Sequence, residues 1–372
     1  MSKIIVYIGG FELPDKNAAA HRVLNNAKVF RELGYKVVFI GIDKKVNSIT
    51  TKETRRIIQG FETYSVPYPS GGKSWLKYLI NIREYTKIID ALSSVNMIIL
   101  YNFQSLAMKR IMSYCRKKNI KCCADVTEWR SAKGENLIYR ILKDADTWYR
   151  MKMLHKKMDG LIVISTYLQK YYSDNPNVVL IPTLIDTSEE KWIITTNKSS
   201  ESLKLVYAGN PGLKDRLDIL IKAVNAIKRD VKLDIIGLTK SQFLKYNPCL
   251  NEEANNPRIT FHGRISHMEV LDYVKKANYS CFFRENDRVS NAGFPTKLAE
   301  AFSCHTPVIT NDTSDISSYV INGKNGYLLK TLDESEMIEL LEHVESILEI
   351  PNNLFEYRKY VREIHNFFQS ME

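Results

Sequence analysis

Short apolar runs alternate along this chain with longer stretches whose apolar residues recur at helical spacing. Lys3–Ile8 (KIIVYI) is continuous and β-branched, and Lys36–Gly41, Phe61–Val66, Met97–Tyr101, Ile120–Ala124, Gly160–Ile164 and Val178–Ile181 are further strand candidates. Such runs read as strands covered on both faces, the habit of parallel sheets. The segment Ala18 to Leu33 reads as a helix, closed by Gly34. This alternation predicts an α/β fold with a doubly wound parallel sheet. Near Pro182 the pattern breaks into the irregular TTNKSSES stretch, which places a domain boundary at about residues 186–202. A second series follows: Leu203–Gly209, VKLDIIG, RITFHG, a helix Met268–Ala277, a strand Tyr279–Phe283, a helix from Thr296 to about Ser303, and a strand Pro307–Thr310. A last helix, Asn352 to about Gln369, carries Tyr357, Tyr360, Val361, Ile364, Phe367 and Phe368. The predicted units are residues 1–186 and 187–351, with residues 352–372 available to pack back on the first.

A length of 372 residues suits two domains, and 44% hydrophobic with 26% charged residues suits a real core. No apolar run reaches the roughly 18 residues of a membrane-spanning helix. The start, MSKIIVYIGG, enters a strand without signal-peptide architecture. The six cysteines form no CxxC pair, so buried free thiols in a reducing cytoplasm are expected, and no metal site. Net charge is +11, unevenly spread. Residues 1–185 hold 30 Lys/Arg against 15 Asp/Glu, and residues 186–372 hold 23 against 27. The basic first half points to an anionic membrane surface or a phosphate-bearing substrate. No helix-turn-helix, RNA-binding or zinc-finger pattern supports nucleic acid as a partner. Two basic segments, each read as a helix, fit a bilayer surface. Lys73–Asp90 places Trp75, Leu79, Ile82 and Ile89 near one face, among Lys73, Lys77, Arg83 and Lys87; Thr147–Met158 is basic and aromatic too. Each either lies on anionic lipid or packs its apolar face inward.

Candidate chemistry gathers at strand ends, where open α/β sheets bind ligands. Gly9-Gly10 ends the first strand; Gly10 either admits a ligand or makes a plain turn, since GxGxxG is absent. In CADVTEWR, Asp125 and Glu128 either serve a sugar as an acid–base pair or form a helix capping box. In the second half, Asn210-Pro211-Gly212 with Lys214 near a helix start suits a phosphate, without being a Walker sequence. Arg264-Ile265 follow the RITFHG strand. The stretch from Cys281 to Leu328 is the richest. A polar loop carries Arg284 and Arg288 and ends in Gly293-Phe294-Pro295-Thr296, where a helix begins. Unpaired N–H groups at that start attract a phosphate. Lys297 lies beside it, and Glu300, one turn on, can accept hydrogen bonds from sugar hydroxyls.

YAGNPGLKD, IIG, FHGRI, AGFPTKLAE, TPVITN and NGKNGYLL, in this order, resemble the nucleotide-sugar-binding domain of family 4 glycosyltransferases. IGGF, NAAAHRVLNNAKVFRELGYKVVFIG, DVTEW, VISTYL and IPTLID extend the likeness over the first half. The resemblance implies the GT-B architecture, two Rossmann-like domains facing a cleft. It implies a retaining, metal-independent transferase with no cofactor, taking a UDP- or GDP-linked sugar as substrate. Glu300 matches the second glutamate of the family pair, on the ribose. Gly293 and Phe294 match the backbone that meets the diphosphate, and Lys214 matches the phosphate lysine. Arg264 and Ile265 lie where the base is met. The family's first glutamate falls on Ala292 and its arginine on Gly209 or Asn210, so Arg284 or Arg288 must supply that charge. The implied acceptor is a glycan or lipid-linked molecule of bacterial polysaccharide (capsule or O-antigen) synthesis, held by the basic first domain. A cytoplasmic protein in peripheral contact with the inner face of the membrane follows. Two rival classes stay open: a nucleotide-sugar isomerase using Asp125 and Glu128, and a non-catalytic GT-B partner subunit, suggested by Ala292.

Overall fold

The computed structural model describes residues 3–14, 17–46, 54–130, 137–194, 202–209, 215–345 and 350–372. The chain folds as two units, Met1–Leu184 with Tyr357–Glu372, and Ile185–Glu356.

The first unit holds an eight-stranded sheet. Its strands are β1 (Ile4–Gly9), β2 (Lys36–Asp43), β3 (Arg56–Ile58), β4 (Phe61–Pro67), β5 (Val95–Tyr101), β6 (Lys121–Val126), β7 (Gly160–Val163) and β8 (Val178–Leu180). Their order is β3-β4-β2-β1-β5-β6-β7-β8. Every residue of β1 is buried, as a strand between two parallel neighbours requires. The sheet is not wholly parallel: the short edge strand β3 pairs antiparallel with β4. The first helix, Ala18–Glu32, starts where Asn17 Oδ1 accepts the Ala20 N–H at 2.9 Å. It stops at Gly34, whose φ of +83° suits glycine.

The tail belongs to this unit. Tyr357–Tyr360 forms a 3-10 turn and Val361–Gln369 a helix. Ile364, Phe367, Phe368 and Met371 join the core that holds Tyr7, Phe30 and Ile162. Gly160 makes room for them: a Cβ there would lie 2.5 Å from Met371 Sδ and 2.7 Å from Phe367 Cζ.

The second unit holds six parallel strands: β9 (Leu203–Ala208), β10 (Val231–Ile236), β11 (Ile259–Gly263), β12 (Tyr279–Cys281), β13 (Val308–Asn311) and β14 (Gly326–Leu329). Their order is β11-β10-β9-β12-β13-β14. Chain direction across each sheet reverses beside its first strand, between β1 and β5 and between β9 and β12. Ligands bind at such switch points in open α/β sheets.

Three expected elements differ. Lys73–Asp90 is two helices, Gly72–Ile80 and Arg83–Asp90, because Asn81 leaves the helical region and its side chain caps the Arg83 N–H at 3.1 Å. The loop before Gly293 contains a short helix, Arg288–Ala292, capped by Asp287. Thr147–Met158 is no continuous helix. It spans the end of the helix Leu137–Tyr149, a π turn Arg150–Leu154 and a 3-10 turn His155–Lys157. Met151, Leu154 and Met158 face the core.

Candidate functional site

In the second unit, three adjacent strands end in left-handed glycines: Gly209 (φ +141°), Gly237 (φ +106°) and Gly263 (φ +67°). The Gly209 N–H donates to Ile236 O at 2.8 Å, and the Gly237 N–H to Gly263 O at 2.7 Å. A Cβ on Gly237 would sit 2.5 Å from Gly209 O, so only glycine permits this approach. A Cβ on Gly209 would meet Lys297 Cε at 2.8 Å. Where the family likeness leads one to expect an arginine, the lysine stem occupies the space.

Lys297 is one arm of a charge cluster across the β9/β12 switch point. Its ammonium donates to Asp215 Oδ2 and, at 3.1 Å, to the Tyr207 hydroxyl. That hydroxyl donates to the same Asp215 oxygen at 2.7 Å. Arg284 Nε donates to Asp215 Oδ1 at 3.0 Å, and Arg284 and Asp215 also pair through their backbones. Asn311 at the end of β13 clamps the Arg284 backbone from both sides, at 2.9 and 2.8 Å. Asp215 is almost fully buried, while Lys297 and Arg284 keep some exposure. Burial pulls the Lys297 ammonium below its ordinary pKa, Arg284 pulls the same way, and Asp215 opposes. Burial alone would raise the Asp215 carboxyl, but Lys297 and Arg284 hold it below its ordinary value. Asp215 was no candidate on sequence. Its two cationic partners lie 69 and 82 residues away, so no local signal marked it as their anchor.

The helix Thr296–Ser303 starts at Pro295, with no side chain capping it. Its first N–H groups are therefore available to an anion. The turn before it is fixed. Gly293 O accepts from Ser314 Oγ at 2.5 Å, and the Phe294 ring is buried against Tyr319 and Phe355. One turn into the helix, Glu300 Oε1 lies 3.2 Å from His267 Nε2. His267 follows Ser266, the N-cap of the helix His267–Lys276, so the loop bearing exposed Arg264 and half-buried Ile265 runs beside Glu300. Ser266 and Glu269 form a capping box that fixes this turn, while the contact of His267 with a helix 33 residues on has no local sequence signal. Of the two loop arginines, Arg284 joins the Asp215 cluster, and Arg288 is exposed at the start of its short helix. Ala292 is fully buried. Asn210 and Lys214 lie outside the described residues.

In the first unit, Gly10 is exposed at the end of β1, and a Cβ there would meet nothing within 4 Å. Asp125 corrects two expectations at once. It lies inside β6 rather than after it, so it caps no helix, and it has no exposed surface for a substrate. Its oxygens accept from Arg22 Nε at 2.9 and 3.0 Å, Arg22 Nη2 at 2.7 Å, Asn26 at 3.3 Å and the Tyr7 hydroxyl. Arg22 Nη1 continues to the carbonyls of Ile181 and Pro182, each at 3.0 Å. The carboxylate thus ties the first helix to the ends of β6 and β8. Glu128 is half-buried and accepts from Arg130 Nε at 2.7 Å. Asn102, in a left-handed conformation at the end of β5, donates to Thr127 Oγ1 at 2.7 Å.

The helices Gly72–Ile80 and Leu137–Tyr149 both pack on the helix Ser105–Lys118. The first buries none of its residues and exposes Trp75 and Leu76; the second exposes Leu137, Tyr139, Ile141, Leu142 and Trp148. No helix among the described residues is long and apolar enough to cross a membrane.

Residues 188–363 match the family of glycosyl transferases group 1. No curated protein matches the chain. Solved structures share the fold over nearly the whole length. Sucrose-phosphate synthase from Thermosynechococcus elongatus has 15% identity, a TM-score of 0.71 and coverage of 99% of both chains. HepE of Anabaena, solved with UDP and glucose, has 12% identity, a TM-score of 0.66 and coverage of 99% of this chain and 100% of its own. The pneumococcal O-GlcNAc transferase GtfA, solved with UDP and GlcNAc, has 13% identity, a TM-score of 0.61 and coverage of 100% and 99%. The two α/β units are those of the GT-B fold, and the chain is an enzyme of the glycosyltransferase class.

Proposed function

We propose that this enzyme is a family 4, retaining, metal-independent transferase. It moves a sugar from a UDP- or GDP-linked donor to a glycan or lipid-linked acceptor in bacterial surface-polysaccharide synthesis. The observation that carries the donor half is the Asp215-held pair of Lys297 and Arg284, beside an uncapped helix start and one turn from Glu300. A nucleoside diphosphate fits these groups. Its phosphates meet Lys297, Arg284 and the N–H groups after Pro295; its ribose hydroxyls donate to Glu300; its base lies along Arg264–Ile265. As the bond from the anomeric carbon to the diphosphate oxygen breaks, negative charge grows on the leaving group. Lys297 and Arg284 stabilise that charge more than the ground state, which lowers the barrier. Solved relatives of this fold with bound UDP support the donor class. Arg284 supplies the cation absent at Gly209, and Glu300 with its His267 partner acts without a carboxylate at position 292. Buried Asp125 is a positioning residue, which removes one of the two groups an isomerase would use.

A thermal-shift screen of nucleotide-sugars tests the donor half, since a ligand that binds only the folded state raises Tm. A UDP- or GDP-sugar should raise Tm, and Glu300→Ala should weaken that donor about tenfold or more, as expected for lost charge-assisted hydrogen bonds. Unchanged donor affinity in Glu300→Ala would sink the site assignment. Absence of any shift would sink the transferase reading, and binding without sugar transfer would favour a non-catalytic subunit.

A further inference from the structure

Arg150 is the largest fully buried side chain among the described residues. It opens the π turn after the helix Leu137–Tyr149. Only Nη1 is engaged, with the carbonyls of Asn102 and Phe103 at 3.4 and 3.3 Å. Nε and Nη2 are buried with no hydrogen-bond partner among the described residues. A buried guanidinium without an acid partner is costly, and the unmatched donors ask for an anion. Other unmatched groups lie on the adjoining segments: Gln104 Oε1 just after β5, and Thr147 Oγ1 three residues before Arg150. Two carboxylates lie near, Glu128, which accepts from Arg130 Nε, and Asp146, which accepts from the Ser105 N–H at 2.8 Å, but neither bonds Arg150.

Arg130 is the half-buried companion. It follows β6, and its partner Glu128 accepts from Asn102 Nδ2 at 3.4 Å, whose own carbonyl accepts from Arg150 Nη1. Tyr78 lies near it too: burial raises that phenol and Arg130 pulls it back. Tyr78 belongs to the helix Gly72–Ile80, and Arg150 adjoins the helix Leu137–Tyr149. The two arginines are therefore flanked by the two helices that expose apolar side chains. A cationic pair with unmatched donors, set beside an apolar surface, fits a headgroup with a hydrocarbon tail.

We propose that Arg130 and Arg150 hold the phosphate of a lipid-linked acceptor whose hydrocarbon chain leaves along the exposed apolar side chains of the helices Gly72–Ile80 and Leu137–Tyr149. This rests on the transferase reading and selects the lipid-linked acceptor over a free glycan. Arg130 makes the entry contact, and Arg150 supplies the buried charge and its unmatched N–H groups.

Flotation of the full chain on phosphatidylcholine vesicles tests this, with either a long-chain prenyl phosphate or phosphatidylglycerol added at equal charge. The wild type should bind the prenyl-phosphate vesicles about tenfold more tightly, the worth of one or two charge-assisted hydrogen bonds. Arg130→Gln should abolish that excess and keep the phosphatidylglycerol-dependent binding. Arg150→Met should do the same; if it fails to fold, Arg130→Gln decides. Equal binding to both vesicle types, or an excess that survives Arg130→Gln, overturns the proposal. Inorganic phosphate titrated in the Lys297→Met background separates the sources. Phosphate binding that depends on Arg130, without any preference for prenyl-phosphate vesicles, would mean a free-phosphate site and overturn the lipid assignment. Nucleotide-sugar affinity measured on the same samples keeps the two readings apart. Wild type that binds donor but shows no headgroup preference loses only this inference; wild type that binds no donor loses the transferase reading.

Discussion

Asp215 shows how one buried carboxylate can set two cations at a strand end. Removing its charge leaves Lys297 and Arg284 repelling each other in a partly buried site. Asp215→Asn should therefore cost about 2–3 kcal/mol, below the full value for a deeply buried pair because both cations keep some solvent. Chemical denaturation measures this. The pH dependence has a definite sign. The folded Asp215 pKa lies below its ordinary value, so its stabilisation is complete above the unfolded carboxylate pKa and fades as pH falls through the folded one. The stability gap between wild type and Asp215→Asn should close below about pH 4. Lys297 adds an alkaline limit. Its ammonium is held below the usual lysine pKa, so donor affinity should fall as pH rises, before the ordinary lysine pKa is reached. Lys297→Arg should move that fall to higher pH, and an affinity profile that stays flat in wild type up to the ordinary lysine pKa would refute the role. Glu300 and Lys297 were legible because a glycine-proline turn before a helix is a local signal. Asp215, His267 and Arg150 were not, since each takes its meaning from residues that only the fold brings near.

Elements were legible where one pattern ruled a whole segment. The buried parallel strands show it: the apolar runs of β1, β2 and β5 are ones that no other element explains as well. The pattern failed where two elements shared one period. Gly72–Ile80 and Arg83–Asp90 keep helical spacing on both sides of Asn81, so the break left no trace in hydrophobicity. The strand β3 is three residues long at an edge, too short for a periodic signal. The terminal helix showed an apolar face but not its target, because an amphipathic stripe does not name the surface it covers. Gly160 settles that, being the gap into which Phe367 and Met371 fit. Phe367→Ala should cost about 3–4 kcal/mol by denaturant unfolding, the usual loss for a buried phenylalanine. A loss below about 1 kcal/mol would show that the helix is dispensable to the first unit.

Across the whole chain, charge and apolar exposure fall in the same half. Residues 1–185 carry a net +15 (30 minus 15) and residues 186–372 a net −4 (23 minus 27). The first unit also exposes Trp75, Leu76, Ile141, Leu142 and Trp148, residues a free domain would normally bury. Basic charge alone would suit any polyanion, and apolar exposure alone would suit any protein partner. Together they fit an anionic bilayer, which attracts the cations from a distance and takes up the apolar side chains on contact. The two contributions separate by salt. Attraction to anionic lipid weakens as ionic strength shortens the Debye length, from about 10 Å at 0.1 M to about 3 Å at 1 M, while apolar insertion does not. The full chain should therefore bind phosphatidylglycerol vesicles strongly at low salt and keep a residual affinity at 1 M. Leu142→Ser with Trp75→Ser should remove the residual and leave much of the low-salt binding. Lys73→Gln with Lys77→Gln should do the reverse. Donor affinity should stay level in all of these variants, because the donor groups lie in the second unit. Vesicle binding that vanishes completely at high salt in wild type would assign the exposed apolar side chains to another role.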